Sequence, residues 1–172
     1  MKRSHFVVIH ISLFLLVTFG CNTGLEPSNQ PSGFRGVIRF RNWPAQDSVQ
    51  NLQIVAFENL PTDSSNILLT VVLERRAAAF PGLNARLPRF VDSVAFEFTT
   101  NNGIGLKLTN YEYIIVAQQY GPNVFTDWRP AGVFAVRPNS FDPKPLRVLL
   151  HRITPNVDIQ VDFNNPPPRP WR

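Results

Sequence analysis

The residue types that perform most enzyme chemistry are scarce in this 172-residue sequence. Two of its three histidines lie within residues 1–20, and its single cysteine, Cys21, follows that segment directly. The third, His151, closes the apolar stretch VLLHRI, and no Gly-x-Ser-x-Gly segment occurs anywhere. A hydrolytic triad needs a histidine within reach of a nucleophile and an orienting carboxylate. We therefore interpret His151 as a strand-end residue and predict no catalytic residues and no enzyme activity.

Metal ligands are equally sparse. Zinc sites draw on closely spaced Cys and His side chains, which one histidine cannot supply. Asp158 and Asp162 share one face of a predicted strand, but four residues of strand separate their Cα atoms by about 13 Å. No loop matches the Asp-x-Asp-x-Asn-Gly pattern of calcium sites. We predict no metal and no cofactor.

A structural role suits these two aspartates better. The stretch FRGVIRFR alternates apolar and basic residues, which turns Arg35, Arg39 and Arg41 to one face. If the first and last strands are neighbours, these arginines face the aspartates. Each cross-strand charge pair contributes about 0.2 to 1 kcal/mol, so such pairs would set register more than stability.

Aromatic and polar side chains are concentrated in a predicted loop, residues 118–132, and in a second loop, residues 41–47. Aromatic faces beside polar groups are what a sugar or peptide ligand requires. In the alternative interpretation, which we favour, Trp128 covers the end of the core while Asp127 and Arg129 pair locally. The candidate ligand residues are Tyr120, Asn123, Phe125, Asp127, Trp128, Arg129 and Trp43.

The elements that would position these residues are strands. In the stretch 156–163, Val157, Ile159, Val161 and Phe163 alternate with polar residues, as expected of a half-buried strand. Residues 67–80 suit either a strand or a short helix, and periodicity alone does not decide between them. About seven short strands separated by Pro/Gly turns predict an all-β fold, an antiparallel β-sandwich. The predicted strands cover residues 34–41, 51–58, 91–98, 111–119, 131–136, 145–151 and 156–163.

The N-terminal segment indicates where the protein resides. A basic start followed by the uncharged run FVVIHISLFLLVTFG predicts a secretory signal peptide over residues 1–20. That run is shorter than the ~20 apolar residues that a membrane-spanning helix needs. Gly20-Cys21 directly after it resembles the lipobox of bacterial lipoproteins, although Thr18 stands where that family usually has Leu. The resemblance implies cleavage before Cys21 and lipidation of its sulfur and new amino group. Since Asn22 rather than Asp follows, it also implies the outer membrane of a Gram-negative host, facing the periplasm or the cell surface.

The remaining chain divides into three parts. Residues 21–33 predict a lipidated N-terminus and flexible tether, residues 34–163 the β-sandwich, and residues 164–172 a Pro-rich tail. The strand motifs GVIRF, IVAF and YEYIIVA resemble the prealbumin-like sandwiches found as carboxypeptidase-regulatory-like modules of exported bacterial proteins, with Greek-key connections. That resemblance implies a spacer or interaction module.

Charge and composition limit the partners. Without residues 1–20 the chain carries 15 Lys+Arg and 12 Asp+Glu, a formal charge of +3, and its arginines are dispersed. We therefore predict no nucleic-acid partner. The expected function is that of a lipid-anchored, non-catalytic structural or protein-interaction module, held to the membrane through Cys21 and contacting an envelope protein or glycan. The alternative is a carbohydrate-binding lipoprotein that uses the loop aromatics.

Overall fold

The computed structural model describes residues 29–61, 74–82 and 85–170, and the fold of these residues is nearly all β. The all-β, sandwich-like class that the strand pattern predicts is confirmed. A single 3₁₀ turn, Gln46–Ser48, is the one helical element of the described residues. The strands are β1 (Gly33–Arg41), β2 (Asn51–Phe57), β3 (Ala77–Phe80), β4 (Ser93–Thr99), β5 (Asn110–Tyr111), β6 (Tyr113–Gln119), β7 (Trp128–Val133), β8 (Leu146–Arg147), β9 (Ile153–Thr154) and β10 (Ile159–Asp162).

One curled sheet contains eight of these strands. Its order is β3-β2-β6-β7-β10-β1-β4, with β9 added beside β1, while β5 and β8 form a separate two-stranded sheet. The sheet is mixed rather than purely antiparallel, because β1 runs parallel to both β10 and β9. The ring of Phe80 on β3 lies 5.5 Å from that of Phe98 on β4, so the two ends of the strand order approach each other as the sheet curls into a half-barrel.

Alternating apolar residues explain which strands bury one face and which bury two. In β1 and in residues 156–163, which contain β10 (the β10 segment), the predicted inward side chains are buried. The charged side chains between them are exposed, except Asp162, which is half-buried. The strands β2 and β6 are apolar on both faces, and they occupy interior positions of the sheet, as their sequences predict. The inward side chains are Phe34, Ile38, Phe40, Val157, Ile159, Val161 and Phe163.

Two apolar clusters lie on opposite faces of this sheet. The larger one fills the concave side and includes Phe34, Ile54 and Val116. The smaller one lies on the outer face of β3, β2, β6 and β7 and includes Val55 and Ile115. The strands between the two clusters therefore bury side chains on both sides.

Several predicted boundaries change. Of the undecided segment 67–80, residues 77–80 form a strand, whereas residues 67–73 lie outside the described residues. Of the predicted strand 145–151, the pairing covers Leu146–Arg147, and His151 adopts a left-handed φ of 52° in the turn that follows. The predicted strand 131–136 begins earlier, at Trp128.

Strand directions define two ends of the domain. We call one of them the tether end, because the predicted tether (residues 21–33) leads into it. There the chain enters β1 beside the turn after β8, where the His151 amide donates to the Ser32 hydroxyl over 2.8 Å. At the distal end lie the segment after β1, the β6–β7 loop and the residues after β10. Residues 1–20, the predicted signal peptide, and Cys21 lie outside the described residues.

Candidate functional site

The aromatic loop at the distal end is shorter than its sequence predicts. Strand β6 continues to Gln119 and β7 begins at Trp128, with those two residues paired, so the loop spans Tyr120–Asp127. Trp128 and Arg129 therefore belong to a strand, not to a projecting loop. Long-range pairing explains the difference, since a run of polar and aromatic residues shows no local strand period.

Trp128 is buried rather than presented to solvent. Its indole, 7% exposed, packs in the outer-face cluster. Its Nε1 donates to the Val124 carbonyl over 2.8 Å. The ring and the single hydrogen-bond donor of Trp128 are thus both used inside the fold. This burial agrees with the favoured interpretation, in which Trp128 packs on the core rather than contacts a ligand.

Asp127 and Arg129 bond locally but to different partners. Asp127 accepts from the Asn123 amide at 2.9 Å and from the Thr126 hydroxyl at 3.0 Å, which closes the loop. Inside it, the Asn123 side-chain oxygen accepts from the Phe125 amide at 2.9 Å and forms an Asx turn. Arg129 donates from Nε to the fully buried Gln118 over 2.9 Å, and Gln118 in turn donates to the Ser48 carbonyl over 2.7 Å.

Two guanidinium groups lie close to the Tyr120 ring. The Arg129 and Arg169 carbons Cζ stand 5.7 Å and 5.6 Å from its ring centroid. The Pro-rich tail therefore packs back on the domain, and Pro167 within it is buried. Phe125, 51% exposed at the loop tip, is the candidate aromatic of this loop with the most solvent contact.

Trp43 belongs to a separate aromatic group at the same end. Its ring lies 4.7 Å from Phe40, 4.9 Å from Phe90 and 4.6 Å from Phe163, centroid to centroid. Its Nε1 donates to the Val91 carbonyl over 3.0 Å. The structure brings Trp43 and the Tyr120–Asp127 loop to one end of the domain but engages both tryptophans in packing.

A groove that the sequence analysis missed lies on the outer face of β1, β10 and β7. Its volume is about 340 Å³, and the apolar residues Val133 and Ala135, which belong to or pack against the outer-face cluster, contribute to its lining. Four cationic and two anionic side chains line it together with several amides. The charged side chains are Arg39, Arg41, Arg137, Lys144, Asp158 and Asp162.

The hairpin of residues 134–144 forms one wall of this groove. The Val136 amide donates to the Asp142 carbonyl over 3.0 Å, and the Lys144 amide donates to the Phe134 carbonyl over 2.9 Å. At its tip, the Ser140 hydroxyl donates to the Asp142 carboxylate over 2.9 Å. The hairpin consequently holds Lys144 beside β10 and β7.

The predicted Arg–Asp pairing forms part of the opposite wall. Arg39 and Asp158 make an ion pair of 3.0 Å, and strands β1 and β10 are neighbours with Arg41 in register with Asp162. Arg35, the third predicted member, instead pairs with Glu97 on β4 at 3.9 Å. The prediction is therefore confirmed for β1–β10 adjacency and for Arg39, and wrong for Arg35.

The carboxyl of Asp162, which lines the groove, has a lowered pKa. The Asn42 side-chain amide donates to it over 2.8 Å and the Asn164 backbone amide over 3.0 Å. These hydrogen bonds, the Asn42 one foremost, and the positive charge of Arg41 hold the pKa of Asp162 below its usual value. The carboxyl thus keeps its charge in mildly acid conditions.

Three further observations concern other site classes. Within residues 29–61, 74–82 and 85–170, no group of three or more His, Cys, Asp or Glu side chains is close enough together to hold a metal ion. Over the same residues, no helix has the length and hydrophobicity to cross a bilayer. His151 is exposed, with Nδ1 3.2 Å from the Gln30 carbonyl oxygen.

Comparisons with protein families, with curated proteins and with solved structures give no match.

Proposed function

We propose that this protein is a lipid-anchored, non-catalytic interaction module of the bacterial cell envelope, which binds an acidic segment of another envelope protein in the outer-face groove. The groove is the observation that carries the proposal. It combines an apolar floor with charged and amide side chains, which is the composition of a polar-ligand site.

The charge of the groove favours an acidic segment. Four cations and two carboxylates line the groove. Asp158 pairs with Arg39 at 3.0 Å, and Arg137 pairs with Asp142 at 3.6 Å, which leaves Arg41 and Lys144 as the cations that make no ion pair among the described residues. Lys144 has no ion-pair partner among the described residues and stands 5.3 Å from the centroid of the Phe134 ring, beside the groove floor. The amides of Asn139 and Gln160 add donors and acceptors for a peptide backbone.

The carbohydrate-binding alternative has weaker support. The indole donors of Trp43 and Trp128 are both engaged by carbonyl oxygens, and Trp128 is buried. A stacking sugar needs an exposed ring face, which Phe125 provides more fully than either tryptophan. If a glycan quenched tryptophan fluorescence and Trp128→Ala abolished the effect, this alternative would replace the protein-binding proposal.

Photo-crosslinking in the native host tests the groove. A photoreactive residue at Gln160, exposed on β10, should yield an adduct with one envelope protein, and Arg41→Glu with Lys144→Glu should remove that adduct. The matched control is Ala95, which is exposed on β4 outside the groove lining. Equal adducts from both positions, or an adduct that the charge reversal leaves unchanged, would contradict the proposal.

Cell fractionation tests the anchor separately. Wild-type protein should sediment with membranes, whereas Cys21→Ser should appear in the soluble fraction, because the sulfur that receives the lipid is gone. Three acyl chains anchor firmly, since each buried CH₂ contributes about 0.8 kcal/mol. Retention of Cys21→Ser in the membrane fraction, at the mobility of the processed chain, would show that the anchor is not a lipid on this residue.

A further inference from the structure

Four exposed leucines are gathered at the tether end of the domain. Leu60, Leu108, Leu149 and Leu150 are 44%, 50%, 37% and 64% exposed. Large exposed apolar side chains grouped together on a soluble domain mark a contact surface, whereas single ones do not. Their shared position therefore calls for an explanation.

Hydrogen bonds of the backbone place Leu108, Leu149 and Leu60 at the same end of the domain. The Val148 amide donates to the Thr109 carbonyl over 3.0 Å, which extends the β5–β8 ladder and leaves Leu108 and Leu149 one residue beyond its last bond. Leu60 is held nearby, since its amide donates to the carboxylate of Glu112, the residue after β5.

The same end receives the N-terminal segment of the chain. The Gly33 amide donates to the Arg152 carbonyl over 2.9 Å, and the Thr100 amide donates to the Ser32 carbonyl over 2.9 Å. Leu150 therefore lies two residues before Arg152, which is hydrogen-bonded to Gly33 at the start of β1. Residues 21–32, which precede β1, span at most about 40 Å when fully extended.

Positive charge accompanies the leucines. Arg147 and Arg152 are exposed on either side of Leu149 and Leu150, and neither makes an ion pair with a carboxylate of the described residues. Lys107, next to Leu108, pairs with Glu58 at 2.6 Å. Apolar side chains flanked by unpaired arginines match the interface of an anionic bilayer.

We propose that this tether-end patch, composed of Leu60, Leu108, Leu149, Leu150, Arg147 and Arg152, contacts the lipid surface of the membrane to which Cys21 is anchored. The proposal rests on the lipid anchor of the proposed function. A short connection between Cys21 and β1 keeps the patch within reach of the bilayer, so even weak apolar and electrostatic contacts are made at high effective concentration. The domain then stands with the distal loops directed away from the lipid.

The chain offers a selective probe for this contact. Cys21 is its only cysteine, and lipidation blocks that thiol, so Leu150→Cys introduces the single reactive thiol of the anchored protein. The full-length protein, processed in cells, is labelled there with an environment-sensitive fluorophore and reconstituted in vesicles of phosphatidylethanolamine and phosphatidylglycerol. The emission should shift to the blue. The control is the Leu150→Cys protein with Arg147→Glu and Arg152→Glu added, reconstituted in vesicles of uncharged lipid. An aqueous quencher should be several-fold less effective on the first sample than on this control.

Matched variants separate the outcomes. Val124→Cys, exposed at the distal end, should remain in water and be fully quenched, and Leu108→Cys serves as a second patch probe if Leu150→Cys fails to fold. Two reactive thiols per chain would show that Cys21 is unmodified, which overturns the anchor and this placement together. If each chain has one reactive thiol but the label is fully quenched at both Leu150→Cys and Leu108→Cys, the membrane contact of the patch is overturned while the lipid anchor stands. A blue shift that grows with the number of protein molecules per vesicle, and not with the charge of the lipid, would indicate contact between copies of the protein. That result would also overturn the membrane contact of the patch.

Discussion

Tyr111 illustrates how individual side chains are used in this fold. It is fully buried, and its hydroxyl accepts a hydrogen bond from the Lys107 amide over 2.8 Å. Burial, which disfavours the phenolate, raises its pKa to about 12. The polar atoms of Gln118, Trp43 and Trp128 are likewise bonded to other parts of the chain. Two of the candidate ligand residues, Trp43 and Trp128, therefore use their single hydrogen-bond donors within the fold.

Replacing Tyr111 by Phe tests this assignment through pH dependence. Below pH ~10 both folded and unfolded states keep the phenol proton, and at higher pH only the unfolded state releases it. Stability of the wild type should therefore fall as pH rises from about 10 to about 12. Tyr111→Phe should lower the free energy of unfolding by about 1 kcal/mol at pH 7, through the lost hydrogen bond, and its decline at alkaline pH should be shallower.

Urea unfolding at neutral and alkaline pH measures both effects. Part of the alkaline decline should persist in Tyr111→Phe, because burial also raises the pKa of Tyr113. An unchanged slope between the two proteins would show that Tyr111 releases its proton equally in the folded and unfolded states.

At the scale of elements, the parallel pairing of β1 with the β10 segment depends on close backbone approach. The Val157 amide donates to the Arg35 carbonyl over 3.0 Å. A Cβ on Gly36 would lie 2.1 Å from the Val157 carbonyl oxygen and 2.4 Å from its carbon. Since both are backbone atoms, no side-chain rotation relieves the contact. The glycine in GVIRF therefore permits the pairing on which one wall of the groove depends.

Gly36→Ala should consequently lower the free energy of unfolding by more than about 2 kcal/mol, and weaken groove binding if the fold survives. The matched control is Gly82→Ala, whose added Cβ would meet only Ile104 side-chain carbons at 3.8 Å. That variant should stay within about 0.5 kcal/mol of wild type. Thermal unfolding of both variants measures these changes in stability. Equal losses of stability in Gly36→Ala and Gly82→Ala would argue against a close approach of β1 and β10.

At the scale of the whole molecule, the two apolar clusters share the strands β2, β3, β6 and β7. Loss of these strands removes the packing on both faces of the sheet at once. Trp43 packs against the concave cluster and Trp128 belongs to the outer one, so each tryptophan reports on a different face. The molecule is therefore expected to unfold as one cooperative unit.

Single-tryptophan variants test this expectation. One variant keeps Trp43 and the other keeps Trp128, with the remaining tryptophans replaced by Phe. Within each variant, the denaturant midpoint from fluorescence should coincide with that from far-ultraviolet circular dichroism, as in a two-state transition. A fluorescence midpoint for Trp128 that precedes the loss of strand signal would show that the outer cluster opens independently.

Much of the sheet was predictable because its strands have local patterns. The alternation in FRGVIRFR and NVDIQVDF identifies the inward residues of β1 and of the β10 segment, and the continuous apolar runs of β2 and β6 identify interior strands. The two-residue strands are too short to show a period of their own: β9 lies outside every predicted strand, and β8 covers only two residues of the predicted strand 145–151. The start of β7 at Trp128 depends on pairing with Gln119 and carries no local signal.

The candidate sites were less predictable, for a related reason. Sequence alone determined the alternation of faces along the long strands and the uncharged apolar run that ends at Gly20, directly before Cys21. Only the tertiary structure decided that Trp128 is buried, that the hairpin 134–144 forms a groove over β10, and that four leucines share the tether end. The physical reason is that periodicity reflects a residue's own strand, whereas exposure depends on which distant segments pack against it.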